Sequence, residues 1–240
     1  MNEQSDSSKN PPEPPPGRPV AQFKVGRLSF TGRSAWAATL ISFALIVALI
    51  TYSRPAPGIL LSGILWSLLI GYWSIPVKNA PAAKSAESAK SRQLHERLLL
   101  LAILLLFIPV PGLTRRIVQP TLALVVTGLT IQAASMALYY WARRHLGRFW
   151  SGAITIKSEH RLIRTGPYRL LRHPMYTAVL GMFVGTVVVS WQIHALVALA
   201  LGIAVYLRKI RIEERTIREA FGSDYESYRR KTWRLIPGLF

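Results

Sequence analysis

Long apolar runs separated by short basic segments are the feature that most constrains the fold of this chain. Half of its 240 residues are hydrophobic and only 17% are charged. A water-soluble domain of this length would spread its apolar residues over many amphipathic elements instead of grouping them in uninterrupted runs. The pattern therefore predicts an all-α, polytopic bundle of transmembrane helices. Six apolar segments carry this prediction, roughly Ala35–Tyr52, Ile59–Ile75, Leu98–Leu113, Val118–Trp141, Met175–Val189 and Ile193–Leu207.

The distribution of basic residues predicts how these segments cross the membrane. The chain carries 30 Lys and Arg against 11 Asp and Glu, which gives a net charge of +19. With six spans and the N-terminus in the cytoplasm, 27 of the 30 basic residues are cytoplasmic, and Arg54, Arg115 and Arg116 lie outside. The positive-inside rule explains this bias better than nucleic-acid binding does. We therefore expect an integral, multi-pass membrane protein with both termini in the cytoplasm.

Composition divides the chain into three parts. Residues 1–33 begin with a polar, proline-rich stretch that cannot bury a core, so a disordered cytoplasmic tail and juxtamembrane segment are expected. Residues 34–141 hold the N-terminal transmembrane helices, and residues 142–240 hold two charged blocks around the last two apolar segments. The short link between Trp191 and Ile193 predicts that these two segments form a tight antiparallel hairpin. The charged blocks then face each other at the cytoplasmic end of the hairpin.

The first charged block, Gly166–Tyr176, contains a turn followed by the start of a helix. Gly166-Pro167 is a turn signal, and a proline such as Pro174 is favoured in the first turn of a helix. Free backbone N–H groups at a helix start suit a carboxylate or phosphate, and tyrosine rings suit a flat ring or a cation. An interfacial belt of aromatic and basic residues is the alternative. The candidate residues of this block are Tyr168, Arg172, His173 and Tyr176.

The second charged block, Arg208–Arg215, continues the last apolar segment. Glu213 and Glu214 are the only carboxylates between residues 159 and 219. Lys209 lies four residues before Glu213 and therefore shares its helix face. An ordinary surface ion pair and contact with anionic lipid headgroups are the alternatives. The aromatic tail that follows, residues 221–237, is expected to lie across the cytoplasmic face and close over the site.

Six pieces of the C-terminal half resemble the isoprenylcysteine carboxyl methyltransferases, membrane enzymes related to the phospholipid N-methyltransferases. Each piece is short, but their order over residues 140–238 makes the resemblance specific. The pieces are Leu146–Ser151, His160–Tyr168, Arg172–Tyr176, Glu213-Glu214, Phe221-Gly222 with Tyr225 and Tyr228, and Ile236-Pro237. The resemblance implies a methyltransferase whose catalytic region, residues 142–240, works at the cytoplasmic face.

The same resemblance implies that S-adenosylmethionine is the methyl donor. We expect Glu213 to hold the ammonium of this donor, and Arg172 with the helix start to hold its carboxylate. The family places a basic residue, commonly Arg, one turn before the first glutamate for substrate binding, and Lys209 occupies that position here. Lysine lacks the bidentate fork of arginine, so Lys209 acts as a point charge or a neighbouring arginine substitutes. The residues implied to line the donor pocket are His160, Leu162, Ile163, Gly166, Tyr168, His173, Tyr176 and Glu213.

Three functions fit these residues. Carboxyl O-methylation of an isoprenylcysteine-like or other lipophilic carboxylate is favoured, because a carboxylate is ionised at neutral pH and needs only cations such as Lys209 and Arg172. N-methylation of a phospholipid or amine would need a base, for which Glu214 or His173 is the candidate. A non-catalytic protein that binds anionic lipid is the third. The chain has no Cys and its five His show no metal-ligand spacing, so the expected partners are a lipid-borne acceptor and membrane lipids, without metal or nucleic acid.

Overall fold

The computed structural model describes residues 57–75, 83–152, 154–157 and 162–239. The expected tail, residues 1–33, and the first apolar segment, Ala35–Tyr52, lie outside the described residues. Five α-helices, two short strands and two 3-10 turns follow one another along the described chain. They are α1 (Pro57–Ser74), β1 (Ala83–Ala86), α2 (Ala89–Phe107), α3 (Leu122–Leu146), a 3-10 turn (Gly147–Phe149), β2 (Thr155–Lys157), a second 3-10 turn (Gly166–Arg169), α4 (Pro174–Ser190) and α5 (Ile193–Arg230).

The helical architecture predicted from the apolar runs is confirmed. Within the described residues, three helices are long and apolar enough to cross a membrane, namely Pro57–Ser74, Leu122–Phe149 and Ile193–Arg230. Helix α4 is also apolar but has only 17 residues, somewhat fewer than the ~20 that a straight span needs. The number of six spans stays a prediction.

Helix α2 extends beyond its predicted apolar segment on the N-terminal side. It begins at Ala89, where the hydroxyl of Ser88 caps the first turn. The first two turns of α2 are mostly polar, and its apolar part starts only in the third turn. The helix ends at Phe107, ahead of Pro109 and Pro111, because proline in the interior would remove a backbone hydrogen bond and clash with the preceding turn.

A short antiparallel ladder lies outside the helical prediction. Strands β1 and β2 pair with Ala86 opposite Thr155, and the register has one irregularity. The backbone bond from Glu87 N–H to Ile154 O, 2.9 Å long, continues this pairing toward α2. The ladder thus ties the start of α2 to the segment between α3 and the first charged block.

Helices α3 and α4 approach each other closely because glycines lie at their interface. A Cβ atom added to Gly181 would lie 2.2 Å from Ser135 Oγ, and one added to Gly185 would lie 2.6 Å from Gly128 O. Small residues four positions apart permit this kind of backbone approach between apolar helices. Larger side chains at these positions would force the two helices apart.

A buried polar cluster joins α1, α3 and α4 inside the apolar bundle. Gln132 Nε2 donates to Ser62 Oγ and to Thr186 Oγ1, each at 2.8 Å. Trp66 Nε1 also donates to Thr186 Oγ1, at 3.0 Å. All four side chains are buried, and hydrogen bonds between helices in such surroundings fix their relative register.

The tight hairpin expected for the last two apolar segments is present. Trp191 and Gln192 alone connect α4 to α5, and Trp191 adopts left-handed backbone angles (φ 48°) to make the turn. Helix α5 runs for 38 residues, so its polar half continues well past the apolar part. After α5 the chain folds back onto the first charged block. We call residues 232–239 the C-terminal strap.

Candidate active site

The loop that enters α4 is shaped by a glycine and held by the C-terminal part of the chain. Gly166 has φ +58°, a conformation that favours glycine, and a Cβ there would lie 2.5 Å from the ring of His145. The turn that follows buries Tyr168. Tyr228 from α5 donates its hydroxyl to Tyr168 O at 2.8 Å. This loop therefore delivers its side chains to one fixed place at the start of α4.

Glu214 is the centre of a buried ion-pair network. Its side chain is 6% exposed and contacts three cationic side chains. Arg172 Nε lies 3.1 Å from Glu214 Oε1, and Arg234 Nη2 lies 2.9 Å from Glu214 Oε2. His173 Nε2 lies 3.3 Å from Oε1. Both oxygens of this carboxylate are thus engaged by the protein itself.

Glu213 has a more open environment than its neighbour. Tyr176 donates its hydroxyl to Glu213 Oε2 at 2.8 Å, and His173 Nδ1 lies 3.4 Å from the same oxygen. The side chain is 26% exposed, and Oε1 has no hydrogen-bond or ion-pair partner among the described residues. Glu213 therefore keeps one accessible acceptor oxygen at the edge of the cluster.

His173 bridges the two glutamates. Its side chain is 4% exposed, and each ring nitrogen faces a different carboxylate. Burial by itself lowers the pKa of His173, but hydrogen bonds and the charges of Glu213 and Glu214 outweigh it and raise the pKa above its ordinary value. The ring stacks on Tyr176 with centroids 5.4 Å apart and planes 5° from parallel. His173 thus favours the imidazolium form in this position.

Tyr168 lies in the turn of the entry loop and stays a neutral phenol. Burial, followed by the charge of Glu213, raises the pKa of Tyr168 well above its ordinary value. Its backbone carbonyl is occupied by Tyr228. A neutral phenol beside a carboxylate offers a hydrogen-bond donor and an aromatic face.

Lys209 is buried instead of lying on a solvated helix surface. Its relative exposure is 9%, and its Nζ donates to Gly152 O at 3.1 Å. The ammonium also lies 5.6 Å from the centroid of the Tyr176 ring. Among the described residues Lys209 bonds this carbonyl rather than forming a salt bridge with Glu213, so an ordinary surface ion pair does not describe it.

Arg172 faces the protein rather than an open pocket. Besides Glu214, its guanidinium donates to Arg229 O at 3.0 Å and to Thr232 O. The side chain is 10% exposed. The contacts of Arg172 therefore join the start of α4 to the end of α5 and to the strap.

The C-terminal strap supplies a site residue that the sequence analysis missed. Arg172 N–H donates to Trp233 O at 2.7 Å and His173 N–H donates to Arg234 O at 3.2 Å, so the strap runs alongside the entry loop. The Arg234 guanidinium then reaches Glu214. No local signal pointed to Arg234, because the first block already holds two arginines and a histidine for the two glutamates.

The remaining candidates lie along the segment that leads to the entry loop. Leu162 and Ile163 are half-buried in irregular backbone just before the turn at Gly166. His160 lies outside the described residues. The structure therefore brings Arg172, His173 and Tyr176 together with Lys209, Glu213 and Glu214. Gly166 lies at the start of the same loop, against His145.

Comparisons with known proteins match the region that carries this cluster. Residues 123–224 match the phospholipid methyltransferase family. A probable protein-S-isoprenylcysteine O-methyltransferase of Oryza sativa subsp. indica is 36% identical over 94 residues, 38% of this chain and 49% of the relative. Protein-S-isoprenylcysteine O-methyltransferase B of Arabidopsis thaliana is 29% identical over 113 residues, 46% of this chain and 57% of the relative.

A relative with a different name matches to a similar extent. The cobalt-zinc-cadmium resistance protein CzcN of Cupriavidus metallidurans is 34% identical over 97 residues, 39% of this chain and 44% of the relative. Within the described residues no group of three His, Cys, Asp or Glu side chains is arranged to hold a metal ion. The chain spans about half the length of the curated relatives it matches. The family resemblance inferred from the motifs is confirmed over this C-terminal region.

Proposed function

We propose that this chain, whose residues 123–224 match the phospholipid methyltransferase family, is an integral membrane methyltransferase that uses S-adenosylmethionine. The favoured reaction is carboxyl O-methylation of a lipophilic acceptor, such as an isoprenylcysteine. The observation that carries the proposal is the contrast between Glu213 and Glu214, which are adjacent but differ in their free acceptor capacity. The arrangement of basic residues along the chain supports a site at the cytoplasmic face.

The residues around Glu213 fit the polar groups of the donor. Glu213 has an accessible carboxylate oxygen for an ammonium group, and the aromatic rings of Tyr176 and Tyr168 lie beside the same cluster. When bound, S-adenosylmethionine supplies an activated methyl group. Leu162, Ile163 and Gly166 are assigned to the same pocket because they lead directly into the entry loop.

Lys209 faces the acceptor in this proposal. It is buried, it lies beside Tyr176, and its ammonium group donates a hydrogen bond to the neutral carbonyl of Gly152. A carboxylate acceptor is already ionised at neutral pH. Lys209 therefore has only to attract and orient it, while the surrounding apolar helices exclude water.

Arg172 and Glu214 act as positioning residues. Arg172 bonds Glu214 through Nε and carbonyls at the end of α5 and in the strap through Nη1, and these contacts support a role in holding Glu214 rather than the donor carboxylate. The network fixes His173 and so orients Glu213 through the other ring nitrogen. We propose this positioning role in place of the direct catalytic role expected for both residues from the sequence.

The contacts of Glu214 and His173 favour O-methylation over N-methylation. An amine acceptor must lose a proton before it attacks a methyl group. Glu214 has both oxygens engaged by cations, and the raised pKa of His173 favours its protonated form. Neither of the bases expected for an amine acceptor is therefore free to take a proton, whereas a carboxylate acceptor needs none.

Donor binding to the purified full chain in detergent tests the proposal. Titration calorimetry with S-adenosylmethionine is expected to show binding that Glu213→Gln weakens by about tenfold or more, since a hydrogen bond to a charged group contributes about 1.5–3 kcal/mol. The glutamine keeps an acceptor for Tyr176 but loses the charge. Glu219→Gln, an exposed change on the same helix, is the matched control and should bind the donor normally. Equal affinity in both variants would remove Glu213 from the donor site.

The chemistry of the product separates the two reactions. With a radiolabelled donor and a prenylcysteine acceptor, O-methylation gives an ester that mild base releases as methanol. N-methylation of phosphatidylethanolamine gives a label that resists the same treatment. Base-stable label in the phospholipid, with none in the prenylcysteine, would contradict the carboxyl assignment while leaving the donor site intact.

A further inference from the structure

A second polar cluster lies where the first turns of α2 meet α5. Arg208 Nη2 donates to Ser91 Oγ at 2.7 Å. Its other terminal nitrogen, Nη1, is buried and has no hydrogen-bond partner among the described residues. A buried donor left without a partner costs about 1–3 kcal/mol, and more when it is charged. This guanidinium can therefore bind a group that the described residues do not supply.

His95 extends the cluster by one helical turn. It follows Ser91 by four residues and so lies on the same face of α2. Its relative exposure is 5%, and Nδ1 is buried without a hydrogen-bond partner in the described structure. The ring meets Tyr206 edge-on, with centroids 5.7 Å apart. Two unsatisfied nitrogen groups, from Arg208 and His95, thus lie on neighbouring turns of the α2–α5 interface.

A row of aromatic rings connects this cluster to the proposed methyl-transfer site. The Tyr206 ring lies 5.0 Å from Tyr176, and Tyr176 in turn stacks on His173. Lys209, which follows Arg208 in the chain, lies 5.6 Å from the same Tyr176 ring. The cluster is therefore on the Lys209 side of the site, and α2 lies outside the region matched to the family.

No carboxylate among the described residues forms an ion pair with Arg208. Arg92 and Glu96 pair with each other on α2, with N–O distance 3.7 Å. Glu87 is close enough to Lys209 for their charges to interact. Among the described residues Arg208 has only the neutral hydroxyl of Ser91 as a hydrogen-bonding partner. An incoming anion would provide the missing negative charge.

His95 can contribute a directional hydrogen bond to such a site without adding a charge. Burial, then the charges of Lys209 and Arg208, lower the pKa of His95 to about 3. The imidazole is therefore neutral at physiological pH. A neutral imidazole can donate one hydrogen bond to an oxyanion without requiring a second counter-charge.

We propose that Arg208 and His95 form an oxyanion subsite that orients the acidic group of the acceptor, a carboxylate or a phosphate, next to Lys209. This inference rests on the proposed methyltransferase function. Lys209 provides a point charge, while Arg208 and His95 provide the directional hydrogen bonds that a lysine lacks. Acceptor recognition then depends on α2 as well as on the matched C-terminal region.

Direct binding of acids and their neutral analogues to the purified full chain tests the subsite. The first pair of probes is N-acetyl-S-farnesylcysteine and its carboxamide, and the second is dioctanoyl phosphatidic acid and dioctanoylglycerol. Thermophoresis in detergent is expected to show a preference of about tenfold or more for the acid of at least one pair. Arg208→Gln and His95→Leu should abolish this preference. His95→Gln, which keeps a hydrogen-bond donor, should retain most of it.

Arg211→Gln is the matched control, because Arg211 is an exposed cation three residues further along α5. Arg208→Lys keeps the charge but removes the planar guanidinium, so it should lose part of the preference for the acid. This variant replaces Arg208→Gln if the latter does not fold. A preference for the farnesylated acid identifies the acceptor carboxylate, and one for phosphatidic acid identifies a lipid phosphate; either supports the subsite. No preference in the unmodified chain, or one that survives both Arg208→Gln and His95→Leu, overturns it.

Donor binding in the same samples separates this inference from the proposed function. Intact donor binding with no acid preference would refute the subsite alone. An Arg208-dependent acid preference without any binding of S-adenosylmethionine would refute the methyltransferase proposal and leave an anion-binding site.

Discussion

Replacing Glu214 with Gln should destabilise the protein far more than replacing Glu213. Glu214 is 6% exposed and faces Arg172, His173 and Arg234 at 3.1, 3.3 and 2.9 Å. An amide of the same shape would leave these cationic groups buried around a neutral side chain. Removing one partner of a buried ion pair typically costs about 3–5 kcal/mol. For a chain of this size that corresponds to a fall of roughly 6–20 °C in melting temperature.

Differential scanning fluorimetry of the detergent-purified chain measures this effect through its seven Trp residues. The scan rate must be held constant, because unfolding of membrane proteins is often irreversible. Glu226→Gln is the control. Glu226 pairs with Arg218 at 2.8 Å, but the two side chains are 37% and 49% exposed. Losing this exposed ion pair should lower the free energy of unfolding by at most about 1 kcal/mol. If Glu214→Gln melts within about 2 °C of Glu226→Gln, the network does not stabilise the fold and the positioning role assigned to it is wrong.

Two further predictions concern the entry loop. Gly166→Ala should lower the free energy of unfolding by about 1–3 kcal/mol, because alanine is strained at φ +58° and its Cβ would contact the ring of His145. In the double variant with His145→Ala the contact is relieved but the backbone strain remains. Full recovery of the melting temperature in the double variant would contradict the strain argument. His173 has a raised pKa in the folded chain, so its charged contacts with Glu213 and Glu214 stabilise the fold fully below the unfolded pKa of about 6.5 and are lost as pH rises through the folded pKa. The melting-temperature difference between the unmodified chain and His173→Gln should therefore shrink from pH 6 to pH 9.5, and a difference that grows over this range would contradict the proposed charge state.

Several features of the fold and site were predictable because they depend on local sequence. Apolar runs and proline positions indicated the helices between residues 57 and 207, and the one-residue spacing of Trp191 and Ile193 indicated the hairpin. The hairpin in turn predicted that the two charged blocks meet, as His173 and Glu213 do. The ladder between β1 and β2 was not predicted, since three- and four-residue strands that pair over a long stretch of chain carry almost no local signal.

The roles of individual charged residues were decided only by tertiary packing. Glu213 and Glu214 are adjacent in sequence and identical in type, so no local pattern indicates which one is saturated and which keeps a free oxygen. That difference arises because the strap returns Arg234 to Glu214, 20 residues away along the chain. Lys209 likewise lies among charged residues in the sequence, as a surface lysine would, but it is buried against Gly152.

The sequence by itself therefore determined the class of this protein: a bundle of apolar helices, with two cationic blocks brought to one end and a recognisable methyltransferase pattern in the C-terminal region. These properties follow from hydrophobicity, charge and turn chemistry, which act over a few residues at a time. Tertiary structure alone decided which cations compensate which carboxylates, and it brought Ser91 and His95 of α2 against Arg208 and Tyr206 of α5. Ion pairing and burial depend on distances between segments far apart in the chain, and the order of residues does not specify those distances until the helices pack.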